Sequence, residues 1–85
     1  MAARPRKPAP IMDKNSLLAA EPRIYAAMAA NNDADGWAWL SGTCVEHMQH
    51  DDVRRALGIA HDAGRVERRM VKGAMQYRPV AQAAA

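Results

Sequence analysis

The chain has one cysteine, Cys44, and no phenylalanine. A single thiol excludes an intramolecular disulfide framework and a multi-cysteine zinc site. Aromatic residues amount to two Trp and two Tyr, and 19 of the 42 apolar residues are alanine, so large apolar side chains are few. An 85-residue chain of this kind supports one domain with a small core, burying only about 60–65% of its unfolded surface. No apolar run approaches the ~18–20 residues that cross a bilayer, so no membrane partner is expected. The basic N-terminus leads into Pro and Ala rather than an apolar stretch, which is unlike a signal peptide; a reducing cytoplasm is the expected compartment. There is no glycine-rich phosphate loop, no nucleophile with a recognisable base, and no carboxylate pair beyond Asp51-Asp52. The chain is therefore expected not to be an enzyme and to need no cofactor.

Charge is present but unevenly placed. The formal net charge is +3. Residues 1–14 carry +3 (Arg4, Arg6, Lys7 and Lys14 against Asp13), residues 15–64 carry −4, and residues 65–85 carry +4 (Arg65, Arg68, Arg69, Lys72 and Arg78 against Glu67). An acidic middle thus lies between two basic ends.

The local patterns divide the chain into an arm, a folded part and a tail. Residues 1–14 open with three prolines and three basic residues in the first ten, which reads as a basic, Pro-rich disordered arm. Residues 81–85, Ala-Gln-Ala-Ala-Ala, read as a flexible tail, leaving 15–80 as the domain. A first helix is expected near 22–31, with Pro22 at its first position and Ile24, Ala27 and Met28 on one face. Leu17 and Leu18 form a short turn feeding the same core. The cluster Asn31-Asn32-Asp33-Ala34-Asp35-Gly36 ends the helix. Trp37 to Leu40 is a short strand or the lead-in to a second helix. As a strand it points both Trp rings to one side, one into the core and the other onto an apolar surface patch. Leu40, Cys44, Val45 and Met48 fit a helix face, with Ser41 or Thr43 as cap and Glu46 at the capping-box spacing. Cys44 then belongs in the core.

The next helix has the clearest pattern. Val53, Ala56, Leu57 and Ala60 form its apolar stripe, Asp51 or Asp52 its cap, and Gly64 its left-handed end. After Gly64 the period changes. Residues 66–71 and 75–80 flank Lys72-Gly73-Ala74 as two strands of a hairpin, with Pro79 at an end or edge.

The stretch from Asp52-Val53-Arg54-Arg55-Ala56-Leu57 through Asp62-Ala63-Gly64-Arg65-Val66-Glu67-Arg68-Arg69 to Gln76-Tyr77-Arg78 resembles the winged helix-turn-helix DNA-binding domain. The resemblance covers residues 22–80, at the level of a superfamily, and its moderately specific part is the junction of third helix and wing. It implies an α+β fold, a small winged helix-turn-helix of three helices plus a two- or three-stranded β-wing. It also implies double-stranded DNA as partner, with the third helix in the major groove and the wing on phosphates or in the minor groove. Carried over by position, the third helix presents Gln49, His50, Asp51, Asp52, Arg54 and Arg55, and the wing Arg68, Arg69, Lys72 and Arg78. Aspartates depart from that pattern, because carboxylates repel phosphate and accept only from a donor such as cytosine N4.

By residue type Gln49, Arg54 and Arg55 are base-readout candidates, and Arg4, Arg6, Lys7, Arg68, Arg69, Lys72 and Arg78 phosphate-neutralising ones. The bland alternatives are a solvated helix face, Arg55 paired with Asp51 or Asp52 at helical spacing, and cations that only keep an Ala-rich domain soluble. Cys44, His47 and His50 have ligand chemistry, but on one helix positions 44 and 50 lie about 240° apart. No metal site is expected. The function expected is that of a small bacterial or phage transcriptional regulator, with a homodimer as one partner arrangement. The alternative is a winged-helix protein-interaction module, a phage-type inhibitor or adaptor of a host protein, since an acidic middle suits a basic partner.

Overall fold

The computed structural model describes residues 12–80. Arg4, Arg6 and Lys7, most of the expected arm and the 81–85 tail lie outside them. The element order is α1 (Lys14–Ala29), β1 (Ala38–Trp39), a single 3-10 turn (Leu40–Gly42), α2 (His50–Asp62), β2 (Val66–Val71) and β3 (Ala74–Pro79). The strands form one antiparallel sheet in the order β1-β3-β2.

Helix α1 starts eight residues before the expected position, inside the stretch read as an arm. Asp13 caps it, its carboxylate accepting the Ser16 N–H at 2.8 Å. Pro22 therefore sits inside the helix, where it removes the hydrogen bond to the Leu18 carbonyl at a cost of about 3 kcal/mol. Leu17, Ala20, Glu21, Ile24 and Met28 fall on one buried stripe. Full burial of side chains such as Leu17, Ile24 and Met28 contributes about 1.5–3 kcal/mol each, enough to carry the helix through the proline.

The loop after α1 is organised by Asp33. Its Oδ1 accepts the N–H groups of Asp35 at 2.8 Å and Trp37 at 2.9 Å, while its own N–H donates to the Trp37 carbonyl. These bonds hold the Asp33 carboxyl below the usual carboxylate range. Gly36, at φ 91°, supplies the left-handed residue of the turn. The chain then enters β1, which pairs with β3 as Ala38↔Tyr77 and Trp39↔Gln76.

The expected second helix is absent, and the three-helix architecture is corrected to two α-helices with a three-stranded antiparallel sheet. Residues 40–42 make only one 3-10 turn. Thr43 stops it: this residue is extended (φ −92°, ψ 101°), buried, and donates its Oγ1–H to the Trp39 carbonyl at 2.9 Å. A threonine hydroxyl turned onto the backbone competes with helix formation. His47, at φ 68°, interrupts the segment again. Val45 reaches the core but Cys44 is exposed, contrary to its expected core position.

Helix α2 buries Val53, Ala56, Leu57 and Ala60 along the expected stripe, with Asp52 beside them. Its cap is Gln49, which makes no side-chain cap hydrogen bond, so neither aspartate is the cap. Both lie in the first turn, where their charge favours the helix dipole. The helix ends in a Schellman motif: Gly64 stands at φ 80°, its N–H bonded to the His61 carbonyl, and the Arg65 N–H bonds Ala60 at 2.8 Å. The turn between β2 and β3 is the pair Lys72-Gly73, at φ 52° and 80°, the sign pattern of a tight two-residue hairpin.

The core joins Leu17, Ile24 and Met28 of α1, Ala38 of β1, Val45, the α2 stripe, and Val66 and Tyr77 of the sheet.

Candidate nucleic-acid interface

The hairpin register decides which cations share a surface. Arg68 pairs with Tyr77 and Met70 with Met75, whereas Glu67 pairs with Arg78 and Arg69 with Gln76. Val66, Tyr77 and Met75 pack on the core, so alternation places Arg68 and Met70 on that same face. Glu67, Arg69, Gln76 and Arg78 occupy the far face. Tyr77 is 3% exposed while Met70 is 61% exposed, so the base of the hairpin is packed and its distal half projects past the core.

On the far face the arginines are committed internally. Arg78 holds Glu67 through Nε and Nη2 at 3.0–3.3 Å and donates from Nη1 to the Asp35 carbonyl. Arg69 Nε donates to Gln76 Oε1 at 2.6 Å. Both guanidiniums lie over the Trp37 ring, 4.1 Å and 4.5 Å from its centroid, within cation–π range. Trp37 is buried beneath the two guanidiniums, while Trp39 stays 39% exposed, one buried ring and one surface ring as expected.

The α2 candidates are committed as well. Arg54 pairs with Asp51 at 3.2 Å, and Arg55 with Asp52 at 2.9 Å while also donating to the Met12 carbonyl. Arg55 thus ties α2 to the start of α1, the helical-spacing pair foreseen for it. Gln49 is exposed at the α2 cap. The structure does not bring Gln49, Arg54 and Arg55 into one free row.

Arg68 and Lys72 differ from these. Both are exposed, and among the described residues neither makes an ion pair. They sit on the projecting hairpin, flanking exposed Met70.

Arg65 adds to the positive charge of residues 65–85, yet it grips Glu21 of α1 from Nε at 2.8 Å and Nη2 at 3.0 Å. Tyr25 donates its hydroxyl to the same carboxylate. The Arg65 bonds hold Glu21 below the usual carboxylate range, and burial together with Glu21 pushes the Tyr25 hydroxyl up to about 12. Glu21 and Tyr25 stand four apart, a spacing that signals a helical pair once the helix is known to run through Pro22.

No protein-family model matches the chain, and comparisons with curated proteins and with solved structures give no match. Among the described residues no helix is long and apolar enough to cross a membrane.

Proposed function

We propose that this protein binds duplex DNA through the phosphate backbone, using the projecting hairpin, and serves as a small transcriptional regulator. The observation that carries the reading is the pair Arg68 and Lys72, exposed on the distal hairpin without an acid partner among the described residues. Unmatched cations on a projecting ribbon release counterions when they meet phosphate. Helix α2 adds little base readout in this reading, because Asp51 and Asp52 neutralise Arg54 and Arg55 where base edges would lie. Contacts to phosphate fix position on the duplex and carry no sequence information directly.

Anisotropy of a labelled generic duplex, titrated from low to moderate salt, tests this. Micromolar binding is expected at low salt, with a log–log slope near −1.8 from two phosphates. Arg68→Ala with Lys72→Ala removes it, and Arg54→Ala leaves it within about twofold. No binding at low salt, or a double variant that binds like the parent, rejects the proposal.

A further inference from the structure

Strand β2 is a sheet edge, and its open side has a defined hydrogen-bonding row. The Val80 N–H donates to the Arg65 carbonyl at 2.9 Å, one step before the Val66↔Pro79 pair. Antiparallel pairs alternate between hydrogen-bonded and non-hydrogen-bonded. Arg65, Glu67, Arg69 and Val71 therefore turn their backbone groups to β3, and Val66, Arg68 and Met70 turn theirs away from it; Val66 is buried, so the open edge is the stretch at Arg68 and Met70. Pro79 agrees with this parity: it stands opposite Val66, where its missing N–H removes no ladder bond.

The edge is guarded against a second copy of itself. A two-fold centred on Arg68 sets Arg68 opposite Arg68, and one centred on Met70 sets Arg68 opposite Lys72. Like charges directly opposite one another destabilise a strand pair, and edge cations are a known device against self-association. The same charges favour an acidic strand. Along the open edge run Arg68, exposed Met70 and Lys72, and the one acid of the strand, Glu67, is already held by Arg78 on the far face.

We propose that the free edge of β2 receives an extended acidic segment of a partner protein, which adds a fourth strand to the sheet. The segment has the form acid–x–apolar–x–acid, with one carboxylate opposite Arg68, the apolar residue against Met70, and the second carboxylate reaching Lys72. Main-chain bonds to Arg68 and Met70 give affinity, and the carboxylates give selection. The inference goes beyond DNA binding and does not rest on it. Because it uses the same two cations, a bound strand excludes phosphate from them.

The test uses the full chain, isotope-labelled, and a capped peptide of threonines with glutamate at its second and sixth positions and valine at its fourth. Titration is expected to move the amide protons of Arg68 and Met70 downfield and to slow their exchange at least tenfold, with those of Glu67 and Arg69 little changed. In antiparallel pairing the second glutamate of the peptide, at its sixth position, lies opposite Arg68 and the valine opposite Met70; N-methylation of these two abolishes binding, and Arg68→Glu exchanges preference for the corresponding lysine peptide. Equal binding of the N-methylated peptide, or no binding of the parent peptide at low salt, overturns the proposal. These readouts are taken without DNA, so they stand whether or not the duplex binds.

Discussion

Glu21 shows how one residue takes its role from partners far away in the chain. It lies on the buried stripe of α1, and its two carboxylate oxygens take the guanidinium of Arg65. Its depressed pKa means that the folded state prefers the ionised acid. The stabilisation is present above the ordinary value of 4.5 and is lost as pH falls through the lower folded value. Tyr25 runs the other way. Its hydroxyl is pushed up to about 12 from 10.0, so its contribution is present below pH 10 and disappears as pH climbs toward 12. Glu21→Gln is expected to lose about 1 kcal/mol at pH 7, a figure reduced because Arg65 is 41% exposed. The variant should also flatten the acid limb of a plot of thermal midpoint against pH, and Tyr25→Phe the alkaline limb.

At the scale of elements, α1 and the hairpin carry opposite lessons. Pro22 normally starts a helix, and locally nothing in Glu21-Pro22-Arg23 says otherwise. The stripe from Leu17 to Met28 has helical spacing, yet it earns its stability only against α2 and the sheet. Replacing Pro22, which is exposed, with Ala returns a donor to the Leu18 carbonyl. A gain of about 1–2 kcal/mol is expected after the looser unfolded chain is allowed for, seen as a midpoint rise of roughly 4–8 °C per kcal/mol. The hairpin was legible because its signals are local: alternation, a glycine at the turn, and a proline where no donor is needed. Its one strained point is Lys72, a non-glycine residue at φ 52°. Lys72→Asn is expected to raise stability by up to about 1 kcal/mol, since asparagine tolerates this region and suits the tight turn. The same change should weaken duplex binding, with the log–log salt slope shallower by ~0.9. Calorimetry and anisotropy on that variant separate folding from function, for the two effects have opposite sign.

For the whole molecule, the arrangement of charge matters more than its sum. The net +3 resolves into paired and unpaired cations. Among the described residues Arg54, Arg55, Arg65 and Arg78 are held by acids within the fold, Arg69 by Gln76, Trp37 and Asp33, while Lys14 and Arg23 on α1 and Arg68 and Lys72 on the hairpin make no ion pair. Of the acids in the middle of the chain, Glu21, Asp33, Asp51 and Asp52 each hold an arginine. Asp51 is exposed and holds Arg54 across 3.2 Å. Asp51→Asn frees that cation on α2, and duplex affinity is expected to rise severalfold at low salt, with a steeper slope by ~0.9 if Arg54 then reaches a phosphate. An unchanged slope would show that α2 faces away from the duplex.

By itself the sequence determined the α2 stripe, its glycine end, the hairpin and the pairing of Arg55 with an aspartate of its own helix, because each rests on residues a few positions apart. Long-range contacts decided the rest. Only packing carries α1 past Pro22, and only burial of Thr43 and Val45 in the core fixes the extended path that replaces the expected second helix. Only the register of β3 between β1 and β2 puts Arg78 on Glu67 and Trp37 while leaving Arg68 outside. A one-residue shift in that register would exchange the two faces, so which cations are free is a property of the sheet and not of the string of residues.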